Sequence, residues 1–96
     1  MRVQKLTEQQ ELLIITMEEC GELTQACSKV LRNGMSDKNY DQLVEELGDV
    51  QCLINLILLS HLVSEEDVDK RVKNKVKKLT KHSSMAMNYL QSPAIL

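Results

Sequence analysis

Ninety-six residues with a net charge of −2 make one small domain with a modest core. There is no Phe or Trp and there are only two Tyr, so Leu, Ile, Val and Met must do the packing, and a second subunit is expected to complete it. One proline and three glycines in a chain rich in Leu, Glu, Lys and Gln leave an all-α reading, and the slight negative charge by itself predicts no partner.

In chain order, Thr7-Glu8-Gln9-Gln10 has the form of a capping box, with Thr7 as N-cap. The helical pattern then runs to about Arg32, where Asn33-Gly34 stops it. Its apolar stripe reads Leu12, Ile15, Glu19, Glu22, Ala26, Val30. Ser36 or Asp37 starts a second helix that continues to about Leu62. Its stripe reads Leu43, Glu46, Val50, Leu53, Ile57, with Asp49 beside it. Two long helices and a short connection predict an antiparallel hairpin. Ser64 caps a third helix, with Glu65, Glu66 and Asp67 in the first turn and lysines towards the end, as the helix dipole favours. That helix fades near Lys81 to Ser84. Residues 85–90 are expected to add a short helix and 92–96 to be loose, so the domain is read as 1–84 with a tail at 85–96.

Four carboxylates carry the chemistry. Glu19 and Glu22 lie three apart, as do Glu46 and Asp49, and on a helix that spacing puts each pair on one face. Both pairs interrupt apolar stripes, where a carboxylate is costly unless something positive meets it. In a hairpin the two pairs reach a similar height, so all four converge. A hard divalent cation such as magnesium is the matching partner for an all-oxygen set.

Other readings fare less well. Glu18-Glu19 or Glu45-Glu46 in isolation would be ordinary solvated helix surface, and Glu45 is read as surface. Di-iron chemistry wants Glu-x-x-His pairs, and neither His61 nor His82 follows a Glu at that spacing. The lysines from Lys70 to Lys81 flank an apolar stripe of Val68, Val72, Val76 and Leu79, so they form a solvated face rather than a nucleic-acid patch. Cys20, Cys27 and Cys52 offer no zinc spacing and are expected to be buried, reduced thiols. Residues 1–10 are polar, with no signal-peptide core, and Val50 to Val63 is too short and too polar to span a bilayer. A cytoplasmic protein with no membrane partner is expected.

The residues also carry a resemblance. Glu18-Glu19-Cys20-Gly21-Glu22-Leu23, Ser28 to Gly34 and Glu45-Glu46-Leu47-Gly48-Asp49-Val50 resemble the Glu-Glu-x-x-Glu and Glu-x-x-Asp signature of the MazG-like all-α nucleoside triphosphate pyrophosphohydrolases, in their small single-domain bacterial and phage branch. Lys75-x-x-Lys78-Leu79 is similar to the lysine-rich stretch after the third helix core. The likeness runs from about Thr7 to Lys81. It implies magnesium-dependent hydrolysis, with manganese as a substitute, of a nucleoside triphosphate to the monophosphate and pyrophosphate. It implies Glu19, Glu22, Glu46 and Asp49 as metal ligands, Glu18 as a further catalytic acid that is either a ligand or a support to the ligands, and Lys75, Lys78 and Arg32 as substrate-binding groups. It also implies a homodimer or homotetramer, with a four-helix-type bundle completed on dimerisation. Relatives that read the base with an aromatic platform have no clear counterpart here, because only Tyr40 and Tyr89 are present. The competing reading is a non-catalytic helical dimerisation module, with the acids a vestigial or structural metal site.

Overall fold

The structure is a computed structural model, and it describes residues 5–82. Three α-helices make up the described chain: α1 (Glu8–Asn33), α2 (Asp37–Leu59) and α3 (Glu65–His82). The expected tail at 85–96 lies outside the described residues.

Each helix starts where its capping residue allows. The Gln10 N–H donates to Thr7 Oγ1 at 3.1 Å, and the Thr7 N–H donates to Gln10 Oε1 at 3.0 Å, so the capping box of α1 is closed in both directions. The Asn39 N–H donates to Ser36 Oγ at 3.1 Å, which settles Ser36 as the cap of α2. Ser64 caps α3 through the Asp67 N–H at 3.3 Å.

The ends are equally local. α1 stops at Gly34, whose N–H donates to the Val30 carbonyl at 2.8 Å. Gly34 has φ 85° and ψ 173°, a region that essentially only glycine occupies. α2 ends at Leu59, three residues before the sequence pattern suggested. There the Ser60 hydroxyl donates to the Ile57 carbonyl at 2.7 Å, and His61 turns left-handed at φ 59°. A residue in that conformation cannot continue a right-handed helix.

α1 and α2 pack against each other across the short Gly34–Ser36 connection, which makes them an antiparallel hairpin. This hairpin belongs to one compact unit that ends at Leu62, and α3 belongs to a second that begins at Val63. The hairpin buries little: Ala26 and Leu53 are its buried apolar residues. Among the described residues, no helix is long and apolar enough to cross a membrane.

Much of the hairpin's apolar surface stays outside. On α1 the residues Leu13, Met17, Cys20, Thr24, Cys27 and Leu31 recur at alternating steps of four and three, and all six are exposed. They form a heptad-like stripe on the side of the helix away from the seam with α2. On α2, Tyr40, Val44, Leu47 and Ile54 continue the same kind of pattern and are exposed too. The cysteines therefore correct the expectation of buried thiols. Cys20, Cys27 and Cys52 are all exposed, the first two because they belong to this outer stripe rather than to the packed seam.

Candidate active site

Glu19 and Glu22 come from the middle of α1, and Glu46 and Asp49 from the middle of α2. The antiparallel pairing brings them to one level. One carboxylate oxygen from each lies within 4.8 Å of those of the other three. Ala26, one turn beyond Glu22 and only 1% exposed, keeps the seam narrow at this height.

Burial sorts the four acids. Glu46 is 7% exposed and Glu19 is half-buried, whereas Glu22 is exposed. Oε2 of Glu19 and Oε2 of Glu46 are buried with no hydrogen-bond partner among the described residues. An ionised carboxylate is acceptor-only, so a ring of carboxylates cannot satisfy its own members. The consequence is electrostatic. Burial pushes the Glu19 carboxyl above the ordinary value of 4.5, and the charges of Glu22 and Asp49 push it further the same way. Burial also raises Glu46, helped by a hydrogen bond that its protonated form shares with Glu22 and by the charges of Glu22, Asp49 and Glu45. Both shifts describe a site short of positive charge.

A divalent cation fits that shortage. All four donors are hard oxygens. Opposed ligands on one magnesium or calcium ion stand about 4–5 Å apart at ordinary bond lengths, which matches the cluster. A cation would give the two orphaned oxygens the positive partner they lack.

The remaining expected acid, Glu18, is not part of this cluster. Glu18 is exposed, next to Glu19 in sequence. Arg32 sits in the last turn of α1, exposed, with Nε donating to the Ser28 carbonyl at 3.4 Å. Lys75 and Lys78 are exposed on α3. One group on the seam was not singled out from the sequence. Lys29 is half-buried, and its Nζ donates to Gln42 Oε1 across the hairpin at 3.3 Å. Nothing in the stretch Ser28-Lys29-Val30 marks that lysine until the register of α1 against α2 is known.

A family model for the MazG nucleotide pyrophosphohydrolase domain matches residues 7–84 of this chain, most of its length. The chain belongs to the MazG family. Comparison with curated proteins and with solved structures finds no match. Membership in the MazG family accords with the all-helical architecture and with an acidic cluster suited to a divalent metal.

Proposed function

We propose that the protein hydrolyses a ribo- or deoxyribonucleoside triphosphate to the monophosphate and pyrophosphate at the carboxylate cluster. The observation that carries this reading is the convergence of four carboxylates with two buried, unpartnered oxygens in a MazG-family domain.

Magnesium, or manganese in its place, would be held by Glu19, Glu22, Glu46 and Asp49, and when bound it would neutralise phosphate charge and polarise a water for attack. The chain itself supplies the rest. Glu19 and Glu46, the two of the four acids with buried, unpartnered oxygens, would hold the inner side of the bound charge. Glu22 is exposed and opens the cluster to solvent, where a phosphate chain can enter. Glu18 stands beside the cluster without joining it, and is the acid assigned to take the proton of the attacking water. Lys75, Lys78 and Arg32 are assigned to the phosphates, the lysines of α3 from the same chain or from a second copy.

A second copy is part of the reading. The exposed heptad-like stripe of α1 and the exposed apolar residues of α2 are the surface on which a homodimer or homotetramer would complete its core.

The test is pyrophosphate release across the ribo- and deoxyribonucleoside triphosphates, with magnesium and with chelator. Chelator-sensitive release with the monophosphate as co-product is expected. No release from folded protein across the whole panel would move the assignment to the non-catalytic helical module.

A further inference from the structure

The Lys29–Gln42 hydrogen bond does more than join two helices. It marks the register of the hairpin. Lys29 follows Glu22 by seven residues on α1, and Gln42 precedes Asp49 by seven on α2. Seven residues is close to two full turns, so Lys29 lies on the same flank of α1 as Glu22, and Gln42 on the same flank of α2 as Asp49. Two antiparallel helices joined at Lys29 and Gln42 therefore bring Glu22 and Asp49 level with each other, about 10 Å further along the seam. The flank that opens the carboxylate cluster to solvent is the flank that carries this ammonium.

The chemistry of the pair is one-sided. A lysine ammonium has three donors, and Gln42 Oε1 takes one of them. Lys29 stays half-buried, and its flexible four-carbon stem reaches across to Gln42 on α2. Arg32, three residues on, is exposed and turned back on the Ser28 carbonyl.

We propose that Lys29 is a substrate-binding residue of this site, holding the end of the polyphosphate chain remote from the carboxylates, and that Gln42 is the residue that positions it. This rests on the pyrophosphohydrolase reading of the cluster. A triphosphate laid along the open flank has one end at the carboxylates and the other within reach of a lysine two turns away. The carboxylates alone repel that remote end, and a fixed ammonium on the same flank reverses the sign there.

The experiment uses the full chain with Lys29→Gln, Lys29→Arg and Gln42→Leu. Lys29→Gln keeps a neutral partner for Gln42, so the helix pairing survives. With manganese present, inorganic tripolyphosphate binding is followed by calorimetry, and KM and kcat are measured on the best nucleotide of the panel. Lys29→Gln is expected to weaken tripolyphosphate binding and raise KM by about tenfold or more, with a smaller effect on kcat. Lys29→Arg should recover most of the loss, and Gln42→Leu should give a partial one. Manganese affinity should not change in any of the three. Wild-type tripolyphosphate affinity and KM in Lys29→Gln, with only the melting midpoint lowered, would show a purely structural lysine and overturn the proposal. The calorimetric arm needs no turnover. A wild-type protein that binds tripolyphosphate through Lys29 yet releases no pyrophosphate overturns the catalytic reading and leaves this one standing.

Discussion

Asn39 and Glu46 stand seven residues apart on one face of α2, at 9% and 7% exposure. Both are polar side chains where an apolar one would pack at lower cost. Asn39 has partners for its backbone and its side chain. Its N–H meets Ser36 Oγ, and its Nδ2 donates to the Gly34 carbonyl at 2.8 Å. It ties the start of α2 to the end of α1. Glu46 has an oxygen with no partner, a raised pKa and three other carboxylates around it. The turn end of the hairpin uses burial to build structure, and the middle of the hairpin keeps buried charge unanswered. A buried polar group that the protein satisfies serves the fold, and one left unsatisfied calls for a partner, which a bound cation supplies under the proposed function.

The largest test of this contrast is at the middle. Glu46→Gln, Glu19→Gln and Asp49→Asn should each abolish magnesium-dependent pyrophosphate release while helicity by circular dichroism is retained. Full activity in any one of them would remove that residue from the ligand set. Asn39→Ala, by contrast, should leave the KM for nucleotide and the metal affinity unchanged.

At the turn the effect should appear in stability instead. Asn39→Ala removes a donor to a backbone carbonyl and should cost about 1–3 kcal/mol in urea unfolding. Gly34→Ala should cost a similar amount, about 1–3 kcal/mol, for a different reason. A Cβ at Gly34 would meet nothing within 4 Å, so the penalty is the backbone's at φ 85° and not one of crowding. Unchanged stability in both variants would mean that the turn end does not hold the hairpin together.

How much of this was legible beforehand follows from what each residue interrupts. Glu19, Glu22, Glu46 and Asp49 could be found because they break apolar stripes, and a broken stripe is visible without coordinates. The caps at Thr7, Ser36 and Ser64 are equally local and were read from single residues. Lys29 was invisible because a lysine between Ser28 and Val30 breaks nothing. Only the pairing of α1 with α2 gives it a neighbour. The end of α2 was misjudged because the apolar run continues through Leu62, and periodicity does not report a left-handed residue at His61. The cysteines were misread for a related reason. Cys20 and Cys27 do lie in an apolar pattern, but α1 has two such patterns, and theirs is the outer one.

A subtler effect concerns pH in the absence of metal. The carboxyls of Glu19 and Glu46 have folded pKa values raised above 4.5, so the folded protein holds their protons more tightly than the unfolded chain does. Their contribution to stability is complete below the ordinary carboxylate range and is lost as pH rises through the raised values. In chelator, the melting midpoint of the wild type should therefore rise, relative to Glu46→Gln, as pH is lowered from 7 towards 4.5. Saturating magnesium should remove that difference by stabilising the ionised cluster at neutral pH. Parallel pH curves for wild type and Glu46→Gln in chelator would show that the buried carboxylates carry no strain.

The smallest expected change sits away from both regions and separates stability from chemistry. His61 holds φ 59° just past the end of α2, a position where a helix ordinarily places glycine. A side chain there brings its Cβ close to the following carbonyl oxygen, at about 1 kcal/mol. His61 gets its backbone bond regardless, since its N–H donates to the Leu58 carbonyl at 3.2 Å. Its imidazole is exposed, and the nearest cluster residue in sequence, Asp49, lies about three turns back along the chain. His61→Gly should therefore raise the unfolding free energy by up to about 1 kcal/mol, because the left-handed turn is kept and its steric cost removed. Pyrophosphate release and its chelator sensitivity should be unchanged. A gain in stability with unchanged turnover would show that the hairpin can be tightened without easing the charge left open at Glu46. A loss of turnover would instead join the end of α2 to the site, and the division between a satisfied end and an unsatisfied middle would have to be redrawn to include it.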